Sequence, residues 1–264
     1  MKRTRKRVWL SVDWDFFQEE RIEWDWSHAE RGEIYSQIVW LTRPFHRGDD
    51  IRPLTSPDRY EPKASTFWKR FSLVKCSADT LAICDSHAVG LPYFYQLGKV
   101  EGVADEIWNF DAHHDLGYVK LPLLKKYVKA GKAEAGSWLY VLMKNYKKLR
   151  CKHIYPVWKK PDVEQCPWLE DADIKRRTEQ LSAGQFDEAG DVEITGLLIA
   201  KSEAWSPSWN DRDFSNFVLA AVQHLPVAAG AYGPTNAMTE RAWDEAGFQA
   251  YRAEVERFRK GAKP

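Results

Sequence analysis

The chain has no CxxC pair. Its four cysteines, Cys76, Cys84, Cys151 and Cys166, are scattered through 264 residues, which removes the usual thiolate zinc and redox signatures and is too sparse for a disulfide framework. They read as ordinary buried or half-buried thiols. An excess of one charge is missing too, since 39 Lys and Arg stand against 38 Asp and Glu, so no nucleic-acid or membrane partner is expected. The one basic block, MKRTRKR at residues 1–7, runs into the strand-like VWLSVDW without a long apolar segment, which argues against a signal peptide or a membrane span. That block reads as a solvated tail, or as a grip for an acidic partner, on a soluble, cytoplasmic protein. Linkers rich in Gly, Ser or Pro are absent as well. Residues 1–264 are therefore expected to form a single domain, long enough to bury one large α/β core.

Aromatic residues are plentiful, and many of the 13 Trp lie in polar surroundings: Trp24 and Trp26 in EWDWSH, Trp158 and Trp168 around KKPDVEQCP, Trp205 and Trp209 in EAWSPSWND. Such rings either line a groove for an extended ligand or anchor loops to the core. Apolar runs that read as strands are RVWLSVDWD, TLAICD, DEIWNFD, CKHIYPVW and EITGLLIAK. Between them, helical patterns fall at about 31–42 and 65–75, from Gly90, and over LPLLKKYVKAG, GSWLYVLMKNYKKL, SNFVLAAVQHL and TERAWDEAGFQAYRAEVERFRK,. Asp211 and Asp213 are expected in the first turn of one of these helices, where negative charge is favourable. The stretch from Arg43 to Ser65 is too rich in Pro, Asp and Arg for regular structure, and loops this long often carry function. This rhythm predicts a mostly parallel sheet covered by helices on both faces.

Ligands of such sheets bind beyond the carboxyl ends of the strands. Three clusters sit there. LSVDWDFF carries Asp13 and Asp15, on one side if the strand continues that far; AICDSHAVG carries Asp85 and His87; NFDAHHDLG carries Asp111, His113, His114 and Asp115. Alone, the D-x-D also reads as a turn cap and the D-x-H as an Asp fixing a ring. The D-x-H-x-D differs, because carboxylates crowded at a strand end repel unless a cation or several donors compensate them. Imidazole and carboxylate without thiolate suit manganese, iron or zinc better than a structural zinc site.

DAHHD resembles the D-A-H-x-D motif of the arginase and agmatinase ureohydrolases. DSH is similar to their Gly-Gly-Asp-His segment, and SVDWD to their S-x-D-x-D motif. The succession VDWDFF, FDAHHD, AKSEAWSPSW is closer to an atypical branch that includes the peptide arginases, which convert arginine side chains in ribosomally made precursor peptides to ornithine. The resemblance implies a three-layer α/β/α arginase-like fold and two Mn2+ ions, with Fe2+ or Zn2+ as alternatives. It gives one ion His87, Asp111, Asp115 and Asp13, and the other His113, Asp111, Asp13 and Asp15. It also sets Glu203, in SEAWSP, where a carboxylate faces the substrate guanidinium; a surface loop acid or a helix-capping partner is the plainer reading. The neighbouring Trp205 and Trp209 either pack the substrate's alkyl chain or anchor the loop.

Two features depart from the family. The D-x-D pair precedes D-A-H-x-D here, so a different strand order must bring Asp13 and Asp15 to the site. The downstream proton-shuttle histidine is missing from KAEAGSWLYVL, which leaves His114, His46 and Glu134 as candidates; His114 reads equally well as a packed group. The implied function is hydrolysis of an arginine residue within a peptide to ornithine and urea. Free arginine or agmatine hydrolysis, a one-metal deacetylase on the same fold, and a non-catalytic metal-stabilised peptide-binding protein are the alternatives.

Overall fold

In a computed structural model, the described residues are 5–19, 40, 51–160, 165–187, 191–231, 237–241, 243 and 245–260. The helix expected near 31–42, His46, and Trp24 and Trp26 lie almost wholly outside them. The framework is an eight-stranded sheet of β1 (Lys6–Asp13), β2 (Lys75–Cys76), β3 (Thr80–Cys84), β4 (Glu106–Phe110), β5 (Arg150–Tyr155), β6 (Thr178–Ser182), β7 (Val192–Ala200) and β8 (Ala228–Ala231). Seven run in the order β6-β5-β4-β1-β7-β3-β8, and β2 pairs with β7. Every pairing among the described residues is parallel.

Alternation within the strands divides the core into two layers. Val8, Leu10 and Val12 of β1 and Ile194, Leu197 and Ile199 of β7 pack with Phe67, Trp68 and Phe71 of a 3-10 helix (Ala64–Phe71) and with Phe214, Phe217 and Val218. Trp9, Ile107 and Leu198 face the other way, against Phe94, Leu124 and the run Trp138–Met143. Helices therefore cover both faces: α1 (Gly90–Val100), α2 (Leu121–Ala130), α3 (Trp138–Asn145) and α4 (Ala172–Arg177) on one, α5 (Asp211–His224) on the other, with α6 (Glu245–Arg259) at the end of the described chain. This is a three-layer α/β/α fold. No helix among the described residues is long and apolar enough to cross a membrane.

The strand order answers the misplaced D-x-D. β1 is central, paired with β4 on one side and β7 on the other. Because all three are parallel, the carboxyl ends of β1 and β4 open on the same rim, and Asp13 arrives beside Asp111 although 97 residues separate Asp15 from Ala112.

Candidate metal centre

β1 ends at Asp13, and the next four residues turn into a 3-10 helix, Trp14–Phe17. Asp15 is thus presented by a helical turn and not by a continuing strand, which corrects the simple alternation expected for D-x-D. The Asp13 carboxylate starts that turn by accepting from the Asp15 N–H (3.4 Å). Its other oxygen accepts from the Ser202 hydroxyl (2.6 Å). Asp15 in turn accepts from the Ala112 N–H (3.3 Å) and lies 2.9 Å from His113 Nδ1.

His87 opens a short 3-10 turn after β3, capped by Ser86. Its Nε2 is 2.7 Å from the Ser11 hydroxyl, and its ring lies 4.9 Å from that of Trp138. Nδ1 faces three carboxylate oxygens: Asp13 at 3.1 Å, Asp111 at 3.0 Å and Asp115 at 3.0 Å. It is fully buried and aligned for a hydrogen bond with none of them. Donors arranged around a point in this way fit a cation, since two ligands at a right angle on an ion held at about 2.1 Å stand about 3.0 Å apart.

Asp111 follows β4 with no solvent exposure. It accepts from the His113 N–H (2.7 Å) and the Asn109 amide (3.2 Å), and its carbonyl lies 3.1 Å from His153 Nε2. Asp115 has φ +51° and takes the Trp138 indole N–H at 2.5 Å. Among the described residues the only other non-glycine with positive φ is Ser202, at +46°. Left-handed backbone is disfavoured for both types, and both instances aim side chains into this cluster.

Two groups of ligand atoms result, Asp13–His87–Asp111 and Asp15–Asp111–His113, each with its atoms within 4.8 Å of one another. Either can hold a metal ion, and they share Asp111. The charge distribution matches that purpose. Burial, followed by repulsion from Asp15 and Asp111, pushes Asp13 up to about 7. Burial, with Asp115 and Asp15 adding to it, pushes Asp111 up to about 8. Asp115 is raised chiefly by burial. For Asp15 burial acts in the same sense, yet the His113 ring outweighs it and the group is lowered. Burial disfavours a charged His87, but Asp13 and the other two carboxylates hold it well above its usual value. Asp13, Asp111 and Asp115 cling to protons for want of a stronger positive partner,.

The other expected site residues divide. Trp205 lies against His113, ring centroids 4.8 Å apart. Glu203, at 18 % side-chain exposure, is 3.9 Å from Lys201 Nζ and 3.9 Å from Arg241 Nε, and burial raises its pKa despite Arg241. It sits at the rim already facing two of the chain's own cations. Both of these are tied to Asp211, Lys201 at 3.1 Å and Arg241 at 2.6 Å; Asp211 does begin α5, but as a buried anchor. His114 does not join the metal groups. Its Nδ1 accepts from the Leu116 N–H (3.0 Å), Nε2 meets the Gln165 carbonyl (2.9 Å), and the ring stacks on Tyr118 at 4.3 Å. With both nitrogens engaged by backbone groups, the ring packs the turn. Glu134 is exposed, caps the 3-10 turn Ala135–Ser137 and accepts from the Tyr127 hydroxyl (2.9 Å). Asp85 belongs to neither metal group. Trp209 anchors loops, donating to Thr55 (3.1 Å) and packing edge-on to Trp40 and Trp243.

Sequence reasoning passed over Trp138, His153, Asn109 and Ser202, which hold the acidic groups in place. The strand period carried part of the signal, since Asn109 lies two residues before Asp111 and pairs in register with His153. Nothing local marks Trp138 or Ser202. Compared with protein-family models, with curated proteins and with solved structures, the chain matches none.

Proposed function

We propose that the protein is a two-manganese ureohydrolase that converts an arginine residue within a peptide to ornithine and urea. The observation that carries this reading is the pair of metal-holding groups sharing Asp111. Charge supports two ions: Asp13, Asp15, Asp111 and Asp115 carry four negative charges when ionised, and two divalent cations beside neutral imidazoles cancel them. The donor set, carboxylate and imidazole alone, suits manganese, with iron or zinc as the alternatives.

His87, Asp13, Asp111 and Asp115 would hold one ion, and Asp15, His113, Asp111 and Asp13 the other. When bound, such a pair supplies Lewis acidity and a water acidic enough to ionise near neutral pH. The protein's own groups do the rest. Glu203, raised by burial, receives the substrate guanidinium at the rim and orients its central carbon toward Asp111 and Asp13. Trp205, packed at a tilt against His113, walls the apolar stem of the substrate and limits water. Asp115 and Asp13 keep their orientation through Trp138 and Ser202.

The test is urea release by the manganese-loaded protein from a blocked arginine peptide and from free arginine, with Asp111→Ala as control. Urea from the peptide, lost in the variant, is expected. Urea from free arginine alone would move the assignment to an ordinary ureohydrolase. One observation favours a non-catalytic, metal-stabilised peptide binder: of the proton-transfer candidates, His114 has both ring nitrogens on backbone groups and Glu134 sits exposed at a turn cap beside Tyr127. That alternative predicts peptide binding without urea, and a stoichiometry of one metal would favour a deacetylase.

A further inference from the structure

Ser202 reaches Asp13 from a backbone conformation that few non-glycine residues adopt, with φ +46° and its hydroxyl donating at 2.6 Å,. It stands just beyond β7 in a largely buried loop that folds back on itself. The Trp205 N–H donates to the Ser202 carbonyl (2.8 Å), and the Ser206 hydroxyl to the Lys201 carbonyl (2.7 Å). A residue held in sparsely populated backbone persists only where its surroundings over-determine it. Here the surroundings include a segment that follows α5.

Arg241 lies buried in non-helical backbone ahead of α6. Its guanidinium grips the Asp211 carboxylate with Nε (2.9 Å) and Nη2 (2.6 Å), and its backbone N–H donates to the same group (2.8 Å). That guanidinium also donates to the carbonyls of Ser206 (2.8 Å) and Glu203 (3.4 Å). On the other flank of Ser202, Lys201 Nζ lies 3.1 Å from Asp211 and donates to the Thr239 carbonyl (3.1 Å). Both neighbours of Ser202 are therefore tied to one carboxylate at the start of α5. Buried ion pairs are a poor source of stability, because desolvation offsets their attraction, and their best-attested use is to fix one arrangement among several.

We propose that Arg241 is a positioning residue of the metal centre: clamped on Asp211, it holds the 201–206 loop so that the Ser202 hydroxyl stays on Asp13. The chain of contacts is continuous, from Asp211 through Arg241 to the Glu203 and Ser206 carbonyls, and from Ser202 to the ligand. Arg241 touches none of the metal-holding side chains and acts through Ser202 alone. The inference needs the metal groups and does not depend on the reaction proposed for them.

Arg241→Lys keeps the charge, but one ammonium cannot reproduce the fork that spans a carboxylate and two carbonyls. Mn2+ affinity is measured by calorimetric titration for the wild type, Arg241→Lys, Ser202→Ala and the double variant, with thermal unfolding followed on each. Ser202→Ala should lose about 10- to 100-fold in affinity, the usual effect of removing a partner of a metal ligand, and Arg241→Lys about 10-fold. The double variant should bind as Ser202→Ala does, because Arg241 then has nothing left to act through. Gly196→Ala, crowded where β7 meets α1, controls for lost stability and should bind as the wild type does. Losses that multiply in the double variant, an unchanged affinity in Arg241→Lys, an equal loss in Gly196→Ala, or a wild type that binds no Mn2+ overturns the proposal. If the lysine variant does not fold, Arg241→Gln, which leaves Lys201 to balance Asp211, takes its place in the cycle. The expected pattern in a protein that releases no urea would sustain the role of Arg241 while sinking the ureohydrolase reading.

Discussion

Asp115 holds a conformation that its own backbone disfavours, with φ +51°, and the Trp138 indole at 2.5 Å fixes the carboxylate that results. Partners of this kind orient metal ligands, and losing one typically costs 10- to 100-fold in affinity. Trp138→Phe keeps the ring packing against His87 and Phe94 and removes only the donor. Its manganese affinity, measured by calorimetric titration, should fall by about that factor with the fold retained; an unchanged affinity would deny Trp138 its positioning role. Asp111 shows the opposite balance. Held near its like-charged neighbours at no exposure, it destabilises the metal-free protein at neutral pH. Asp111→Asn retains an acceptor for the His113 N–H, and should raise the metal-free melting temperature at pH 8 while abolishing the gain on adding Mn2+. A lower melting temperature would show that hydrogen bonding at Asp111 outweighs the repulsion.

Elements followed the sequence where periodicity was strong. β1, β3, β4, β5 and β7 and the helices from Gly90, Leu121, Trp138 and Asp211 lie where apolar patterns predict them. The pattern expected near 65–75 forms a 3-10 helix, Ala64–Phe71, in place of an α-helix. β6, TEQLS, escaped notice because it is a polar strand that among the described residues pairs with β5 alone, and α4 is six residues long. α4 depends on distant contacts: Asp171 caps its start, and Arg177 donates to the carbonyls of Met143 and Leu149. Gly196 in β7 illustrates how tightly sheet and helix meet. A methyl there would run into Leu97 of α1 and come within 2.8 Å of Trp9. Gly196→Ala should therefore cost about 1–3 kcal/mol in denaturant unfolding while leaving metal affinity largely unchanged; a neutral result would mean that α1 can shift outward freely.

Across the whole molecule the site couples stability to pH. Asp13 is raised from 3.8 to about 7 and Asp111 from 3.8 to about 8, with Asp115 and His87 raised as well. The folded metal-free protein thus keeps protons that the unfolded chain has released, and its stability declines as pH climbs from about 4 to about 8. Asp15, lowered, contributes stability that is lost only on acidification below its usual range. Bound divalent cations replace those protons. The gain in melting temperature on adding Mn2+ should accordingly grow between pH 5.5 and 8 in thermal scans, whereas a gain independent of pH would contradict ligation by these carboxylates.

Local chemistry was open to reading in the chain alone: the donor types in DWD, DSH and DAHHD, their places after apolar runs, and the alternation of strand and helix. These depend on residues a few positions apart, which periodicity records directly. Which strands become neighbours depends on partners far along the chain. Only the folded sheet put β1 between β4 and β7 and so joined Asp13 and Asp15 to Asp111. Only tertiary packing engaged both nitrogens of His114, set Lys201 and Arg241 against Glu203, and left Nδ1 of His87 among three carboxylates. Side-chain environment is a property of what surrounds a residue in space, and the residues that decide it here come from strands and loops remote in sequence.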